Sequence, residues 1–284
     1  MKLFILSLLS LSFATAYSLP TAPFNALEYD VSAMKTFNAN EKFNYDFEGI
    51  VKLSNCSGAV IIFSGQPKTS NAYVLTNGHC LGGGFLKPNE ARKNVKSNRK
   101  MKVADKDMKF FNITAQSLMY ATMTGTDAAL YELKETYEDL EKMGIRAFEM
   151  MPSRSTVGTK MDVVSGYWER GYRCSIDNFI FKLKEAKWSW NDSIRYSKPG
   201  CETIGGTSGS PIIETGTRKV IGVNNTSNER GRKCTLNNPC EVDSAGKVTV
   251  MKKYSYGQQV HQFYGCLTAD FKIDTAVKGC VLTK

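Results

Sequence analysis

Gly205-Gly206-Thr207-Ser208-Gly209-Ser210-Pro211-Ile212-Ile213 puts a serine in a glycine-dense turn and runs directly into an apolar triplet. Glycine lets a backbone approach other groups closely and adopt conformations closed to other residues. Ser208 therefore sits on a turn that exposes its hydroxyl and frees neighbouring N–H groups to bind an incoming oxygen. The proline and paired isoleucines that follow favour a strand over a helix. A serine turn that feeds a strand narrows the fold before any other segment is read.

The same pattern continues in both directions. Ala59 to Phe63 is a continuous apolar run, closed by the turn Ser64-Gly65-Gln66-Pro67 and followed by Tyr73 to Thr76. Similar runs cover Ile113 to Thr122, Ala128 to Leu133, Met161 to Trp168, Ile176 to Leu183 and Lys219 to Val223. Short runs bounded by Gly, Asn, Pro and Ser point to an all-β sandwich or barrel. Only Lys134 to Met143 has a helical, acidic and surface-like pattern, so the strand–helix alternation of a parallel sheet is missing. At 284 residues with 42% hydrophobic and 23% charged residues, the chain can fill a core and is not a disordered or fibrous sequence.

The start of the chain bears on its compartment. Lys2 precedes the apolar stretch Leu3 to Phe13, and Ala14-Thr15-Ala16 offers the small residues that a signal peptidase requires. The stretch falls short of a bilayer span, and no later segment is long and apolar enough for one. We therefore expect a signal peptide over 1–16 and a secreted protein, extracellular or periplasmic, without a membrane span. The polar segment that follows, 17–47, reads as a pro-segment or N-terminal arm. In an oxidising compartment the 8 cysteines are expected to form bridges. A zinc site fits poorly, because no short-spaced Cys/His pairs exist and only His79 and His261 supply imidazole. No cluster of acids suggests calcium, so no metal is expected.

The charge balance is basic, with 37 Lys and Arg against 27 Asp and Glu giving +10. Lys87 to Lys109 holds nine of the bases and reads as a solvated basic loop. It lacks the interleaved aromatics of a single-strand nucleic-acid platform, so no nucleic-acid partner is expected. Leu140 to Val157 reads as a connection between two halves.

Two further motifs supply chemistry that Ser208 needs. Thr76-Asn77-Gly78-His79-Cys80 sets an imidazole at the end of an apolar strand, and Gly125-Thr126-Asp127-Ala128-Ala129-Leu130 sets a carboxylate at the start of another. A hydroxyl becomes a nucleophile when a base near neutral pKa removes its proton. That base is held in one tautomer, and stabilised when charged, by a carboxylate behind it.

Together with Cys56-Ser57-Gly58-Ala59-Val60-Ile61, these motifs resemble secreted trypsin-like serine proteases of the chymotrypsin fold, in the microbial-type branch with a Gly-Thr-Ser-Gly-Ser-Pro nucleophile motif. The order His79, Asp127, Ser208 is the family's order. The resemblance spans Gly49 to about Gln262. It implies two six-stranded Greek-key β-barrels packed with the active site in the cleft between them. The first barrel is expected over 48–145 and carries His79 and Asp127. The second, over 146–284, carries Ser208 and a disulfide-braced C-terminal region. It further implies His79 as general base and acid, Asp127 as its orienter, Ser208 as nucleophile, and the N–H groups of Gly206 and Ser208 as the oxyanion hole. The implied bridges are Cys56-Cys80, stabilising by about 3 kcal/mol, and Cys174-Cys201; proximity leaves Cys234-Cys240 and Cys266-Cys280. No cofactor is required, the substrates are polypeptides, and a monomer is expected.

Two departures matter. Thr207 stands where animal relatives carry the aspartate that pairs with a newly cut N-terminus, so the usual zymogen switch is not expected. Ser210 replaces a commoner glycine. For specificity, Glu202, Thr203, Val223 and Asn224 are the expected pocket residues. Glu202 would favour a basic side chain before the cut.

Other readings of the same residues exist. Ser208, Asp243 and His261 follow the order of α/β-hydrolase esterases, but the strand after Ser208 stands where that fold needs a helix. A catalytically inactive protein that uses a protease fold for binding is the non-enzymatic alternative.

Overall fold

The computed structural model describes residues 45–284. The expected signal peptide and nearly all of the expected arm lie outside the described residues. The first half contributes β1 (Ile50–Lys52), β2 (Ser57–Ile62), β3 (Asn71–Thr76), β4 (Ala91–Lys96), β5 (Lys100–Ala104), β6 (Phe110–Thr122) and β7 (Ala128–Thr136). The strand order β1-β5-β6-β7-β3-β2 closes on itself, because Ile50 to Lys52 pair antiparallel with Ala59 to Ser57. This is a six-stranded barrel, and closure removes the open edges that a sheet otherwise exposes.

The second half repeats the solution. Its strands are β9 (Lys160–Ser165), β10 (Arg170–Glu185), β11 (Trp188–Tyr196), β12 (Pro211–Glu214), β13 (Lys219–Ser227) and β16 (Ser255–Gln259). They run β12-β9-β10-β11-β16, and pairing of β16 with β13 closes a second ring of six. A small ribbon, β14 (Cys240–Val242) and β15 (Val248–Thr249), extends β10. Between the barrels, β8 (Phe148–Met150) pairs in parallel with β2 on one side and β13 on the other. The connecting segment is thus itself a strand shared by both halves.

The one α-helix among the described residues, α1 (Tyr137–Lys142), is short and capped by Thr136, whose hydroxyl accepts from the Asp139 N–H. The sequence suggests a longer helix, but its first residues stay in β7, where Leu133 is buried in the core. The basic stretch 87–109, expected as a solvated loop, instead holds β4 and β5. Met101 and Val103 alternate inward in β5 between exposed lysines. Among the described residues β4 pairs only with β6, and from Arg92 to Lys96 it is exposed throughout. Long lysine stems lie along such a sheet while their heads remain in water, which hides the strand signal behind charge.

Tyr45 to Glu48 lock the start of the described chain onto both halves. Glu48, only 4% exposed, accepts from the Arg146 backbone N–H (2.9 Å), Nε (2.9 Å) and Nη2 (2.6 Å). Arg218, on the turn before β13, donates to the carbonyls of Glu48 (3.0 Å) and Arg146 (2.7 Å) and pairs with Asp46. Burial disfavours the Glu48 charge, but the Arg146 bonds outweigh it and hold the carboxyl below its usual range. A depressed pKa gives stability that is present above the unfolded value and lost as pH falls through the folded one. Glu48→Gln is expected to lower the unfolding free energy by about 2 kcal/mol at neutral pH. In urea titrations the difference should disappear well below the usual carboxylate range.

Candidate active site

His79 lies in a single 3₁₀ turn, Gly78–Cys80, directly after β3. The turn is fixed at both ends. The Asn77 side chain donates to the Asp127 carbonyl (2.7 Å), and Cys80 is bridged to Cys56 beside β2. Gly78 is required by space, since a Cβ there would stand 2.0 Å from the Thr122 carbonyl oxygen. Asp127, with no exposed surface, precedes β7 and uses both carboxylate oxygens on one residue. Oδ1 accepts the His79 backbone N–H (3.0 Å), and Oδ2 lies 2.9 Å from Nδ1 of the ring. The carboxylate thereby fixes the turn and the imidazole together, and the Nδ1 bond leaves Nε2 as the outward nitrogen.

Ser208 comes from the other barrel. Its carbonyl accepts the Ser57 N–H (2.8 Å) from β2, so the serine turn is tied to the half that holds His79. Gly209 allows this approach: its φ is +80°, and a Cβ would fall 2.2 Å from both the Ser57 carbonyl oxygen and Thr76 Oγ1. The Thr207 hydroxyl bonds the Ile204 carbonyl and accepts its N–H (3.0 Å), while Asn224 Nδ2 donates to the Thr207 carbonyl (3.0 Å). Thr207 therefore braces the turn from within. The N–H groups of Thr207, Gly209 and Ser210 are spent on carbonyls, whereas those of Gly206 and Ser208 donate to nothing among the described residues. The Ser208 hydroxyl donates to the Asn225 carbonyl (3.2 Å) and not to His79.

Residues 56–223 match the family described as trypsin-like peptidase domain. This chain belongs to the trypsin-like peptidase family. Among solved structures, it is similar to the MamO protease domain from Magnetospirillum magneticum, at 14% identity over 75% of this chain and 92% of that one, with a TM-score of 0.46. It is also similar to a protease from M. tuberculosis in its active form, at 14% identity over 84% and 87% of the two chains (TM-score 0.47). A third is the Nocardiopsis protease, at 13% identity over 76% and 93% (TM-score 0.42). No curated protein matches.

In this peptidase His79, Asp127 and Ser208 line one cleft between the barrels. Burial works against a charged His79, but the charge and hydrogen bond of Asp127 and the charge of Glu185 outweigh it and raise the pKa. Glu185 is itself 4% exposed, at the end of β10. It accepts from Thr226 Oγ1 (2.6 Å) and the Asn237 N–H (2.8 Å). Burial raises its own pKa, and those two bonds oppose the rise.

The expected pocket residues divide. Thr203 and Asn224 line the cleft, with Asn224 held by Tyr196 as well as by the serine turn. Glu202 is exposed, accepts the Gly200 N–H (3.3 Å), and lines an adjoining cavity that shares Thr203, Ser227 and Glu229 with the cleft. Val223 departs from expectation: it packs with no exposed surface in the core, opposite Pro211, and lines neither space. The wall is formed one step further on by Asn225, Thr226 and Ser227. Asn224 through Ser227 are consecutive, and the pairing of β13 with β16 carries a bulge between Asn224 and Thr226 that breaks the alternation of faces there. Sequence reasoning also missed Glu185, Phe85, Trp188 and Leu236, which come from loops and strand ends remote from the motifs.

The four bridges in the structure are Cys56–Cys80, Cys174–Cys201, Cys234–Cys240 and Cys266–Cys280. The first flanks His79, and its two sulfurs are spent in the bond. The esterase alternative is not supported by position. Asp243 turns its carboxylate onto the N–H groups of Ala245 and Lys247, and neither it nor His261 lines the cleft. Gly78→Ala is expected to destabilise the protein by about 2 kcal/mol through overpacking. Denaturant unfolding checks this, and an unchanged midpoint would show that Thr122 can yield.

Proposed function

We propose that the chain is a secreted serine endopeptidase acting through an acyl-enzyme. The observation that carries the reading is the Asp127 carboxylate, which orients both the backbone and ring of His79 within the cleft that holds Ser208. Rotation about the Ser208 side chain moves its hydroxyl from the Asn225 carbonyl to His79 Nε2. Oγ then attacks the peptide carbonyl carbon while Nε2 takes its proton. The free N–H groups of Gly206 and Ser208 receive the oxyanion, worth about 3 kcal/mol for one donor. As the C–N bond breaks, the imidazolium returns the proton to the departing amine. Water repeats the sequence on the ester and frees Ser208.

Disulfides fit an oxidising compartment, and no helix among the described residues is long and apolar enough to cross a membrane. Export by way of 1–16, and removal of the arm that follows, belong to this reading, as does the division into 48–145 and 146–284. Preference for Lys or Arg before the cut rests on Glu202 and Glu229, set against Arg230 and Lys253 on the same cavity. A series of fluorogenic peptides that differ only at that residue is expected to favour the basic ones, and equal rates would remove the preference.

Rapid fluorophosphonate labelling of Ser208, lost in Ser208→Ala and slowed at least about a thousandfold in His79→Ala, tests the mechanism. The turn of the Ser208 hydroxyl toward Asn225 favours a binding protein instead, and absence of labelling in the intact protein would support that account. Because the base must be neutral, a raised His79 pKa moves the acid limb of kcat/KM to higher pH. Glu185→Gln removes a negative charge that favours the imidazolium, so that limb should shift to lower pH.

A further inference from the structure

Ile204 to Thr207 form a tight turn whose central peptide joins Gly205 to Gly206. The Thr207 N–H donates to the Ile204 carbonyl (3.0 Å), and Gly206 has a φ of +91°. A positive φ at the second central residue marks a type II turn, whereas a type I turn has a negative φ there. The two forms share their ends and differ in the direction of the central peptide. Both residues that flank it are glycine, so no Cβ opposes its rotation. A trans peptide is planar, with its carbonyl and N–H on opposite sides. Whatever fixes the Gly205 carbonyl therefore aims the Gly206 N–H, which donates to nothing among the described residues.

Trp168 fixes that carbonyl. From the turn between β9 and β10, its indole Nε1–H donates to the Gly205 carbonyl (2.8 Å). The aromatic pair sits directly on the next glycine: a Cβ on Gly206 would stand 2.8 Å from Trp168 Nε1 and from Tyr167 Cδ1. The turn that carries the pair is braced beneath. Trp168 N–H donates to Ser165 Oγ (3.2 Å) and Tyr167 N–H to Ser57 Oγ (3.1 Å). Those two hydroxyls lie 3.0 Å apart, on residues with no exposed surface. Ser57 Oγ also donates to the Gly206 carbonyl (3.4 Å), so the peptides on both sides of Gly206 have a partner. Gly205 lines the cleft and Trp168 does not. The carbonyl is thus held by a ring outside the lining, and the N–H of the same peptide faces the opposite way.

We propose that Trp168 is a positioning residue: its indole holds the Gly205–Gly206 peptide so that the Gly206 N–H meets the substrate oxygen on which charge develops. The inference rests on the peptidase reading and adds to it a side chain on which one oxyanion donor depends. Turned over, the same peptide would set a carbonyl oxygen against that charge and leave the Ser208 N–H to act alone. Trp168 serves an interaction made in the transition state, so its loss lowers the rate of the chemical step and leaves ground-state binding intact.

The test reads the maximal rate of fluorophosphonate labelling and, on whichever peptide of the fluorogenic series is cut fastest, kcat and KM separately. Trp168→Phe keeps an aromatic ring and removes the donor. Its labelling rate and kcat are expected to fall at least about tenfold, toward the hundredfold or more that a lost oxyanion donor costs, with KM changed less than about twofold. Trp168→Gln and Trp168→His each carry an N–H the same number of bonds from Cβ as that of the indole. At least one of them should return to within about threefold of the parent rate. A smaller fall in Trp168→Phe, a fall carried by KM, or a loss that neither donor variant restores overturns the inference while the peptidase reading stands. An intact protein that does not label overturns both. If Trp168→Phe does not fold, NMR of the intact protein decides. The Trp168 indole proton, on a ring 47% exposed, is expected to exchange with solvent at least about tenfold more slowly than free indole. Equal rates overturn the inference.

Discussion

The hydrogen bond from the Ser57 N–H to the Ser208 carbonyl joins the two halves of the site through main chain alone. It needs the serine turn to lie almost in contact with β2, and that contact needs Gly209, whose missing Cβ is replaced by the Ser57 carbonyl and the Thr76 hydroxyl. Thr76 Oγ1 in turn donates to the same carbonyl (2.7 Å), one residue before Asn77 and three before His79. A single backbone approach therefore sets the height of both functional turns. Side-chain bonds can be lost singly, but a main-chain contact of this kind moves only with the whole strand.

Around that contact the two barrels divide the work. The first holds His79 and Asp127 in a rigid pair, because β3 and β7 are adjacent and their ends are stitched by Asn77. The second supplies a turn whose bonded and unbonded N–H groups are sorted by Thr207 and Asn224. In this chain Thr207 holds the turn together by local bonds and leaves it with no charge to neutralise. The segment at Tyr45 to Glu48 is fastened elsewhere, by Arg146 and Arg218.

How much of this was legible depended on whether the signal was local. The strand after Ser208, the turn at His79 and the acid at the start of β7 each lie in a few consecutive residues, so pattern and chemistry coincide there. The short apolar strands were visible for the same reason. β4 and β5 were not, because their exposed positions carry Arg92, Lys93, Lys96, Lys100 and Lys102, and charge reads as loop when the pairing strand is unknown. Glu185 was invisible because its meaning comes from Thr226, Asn237 and His79, brought together only by folding. Val223 is expected in the wall from the family resemblance of its strand, and its place in the core is decided by packing that no local signal carries.

The basic edge of the first barrel has a consequence for how the molecule meets its own copies. β4 hydrogen-bonds β6 on one side, and among the described residues no strand pairs with its other side. Such an edge invites a foreign strand to dock and propagate. Here any second copy arriving in register would bring Arg92, Lys93 and Lys96 against the same three cations. Repulsion between those like charges opposes pairing at that seam, so charge that lies outside the cleft guards an edge of the fold.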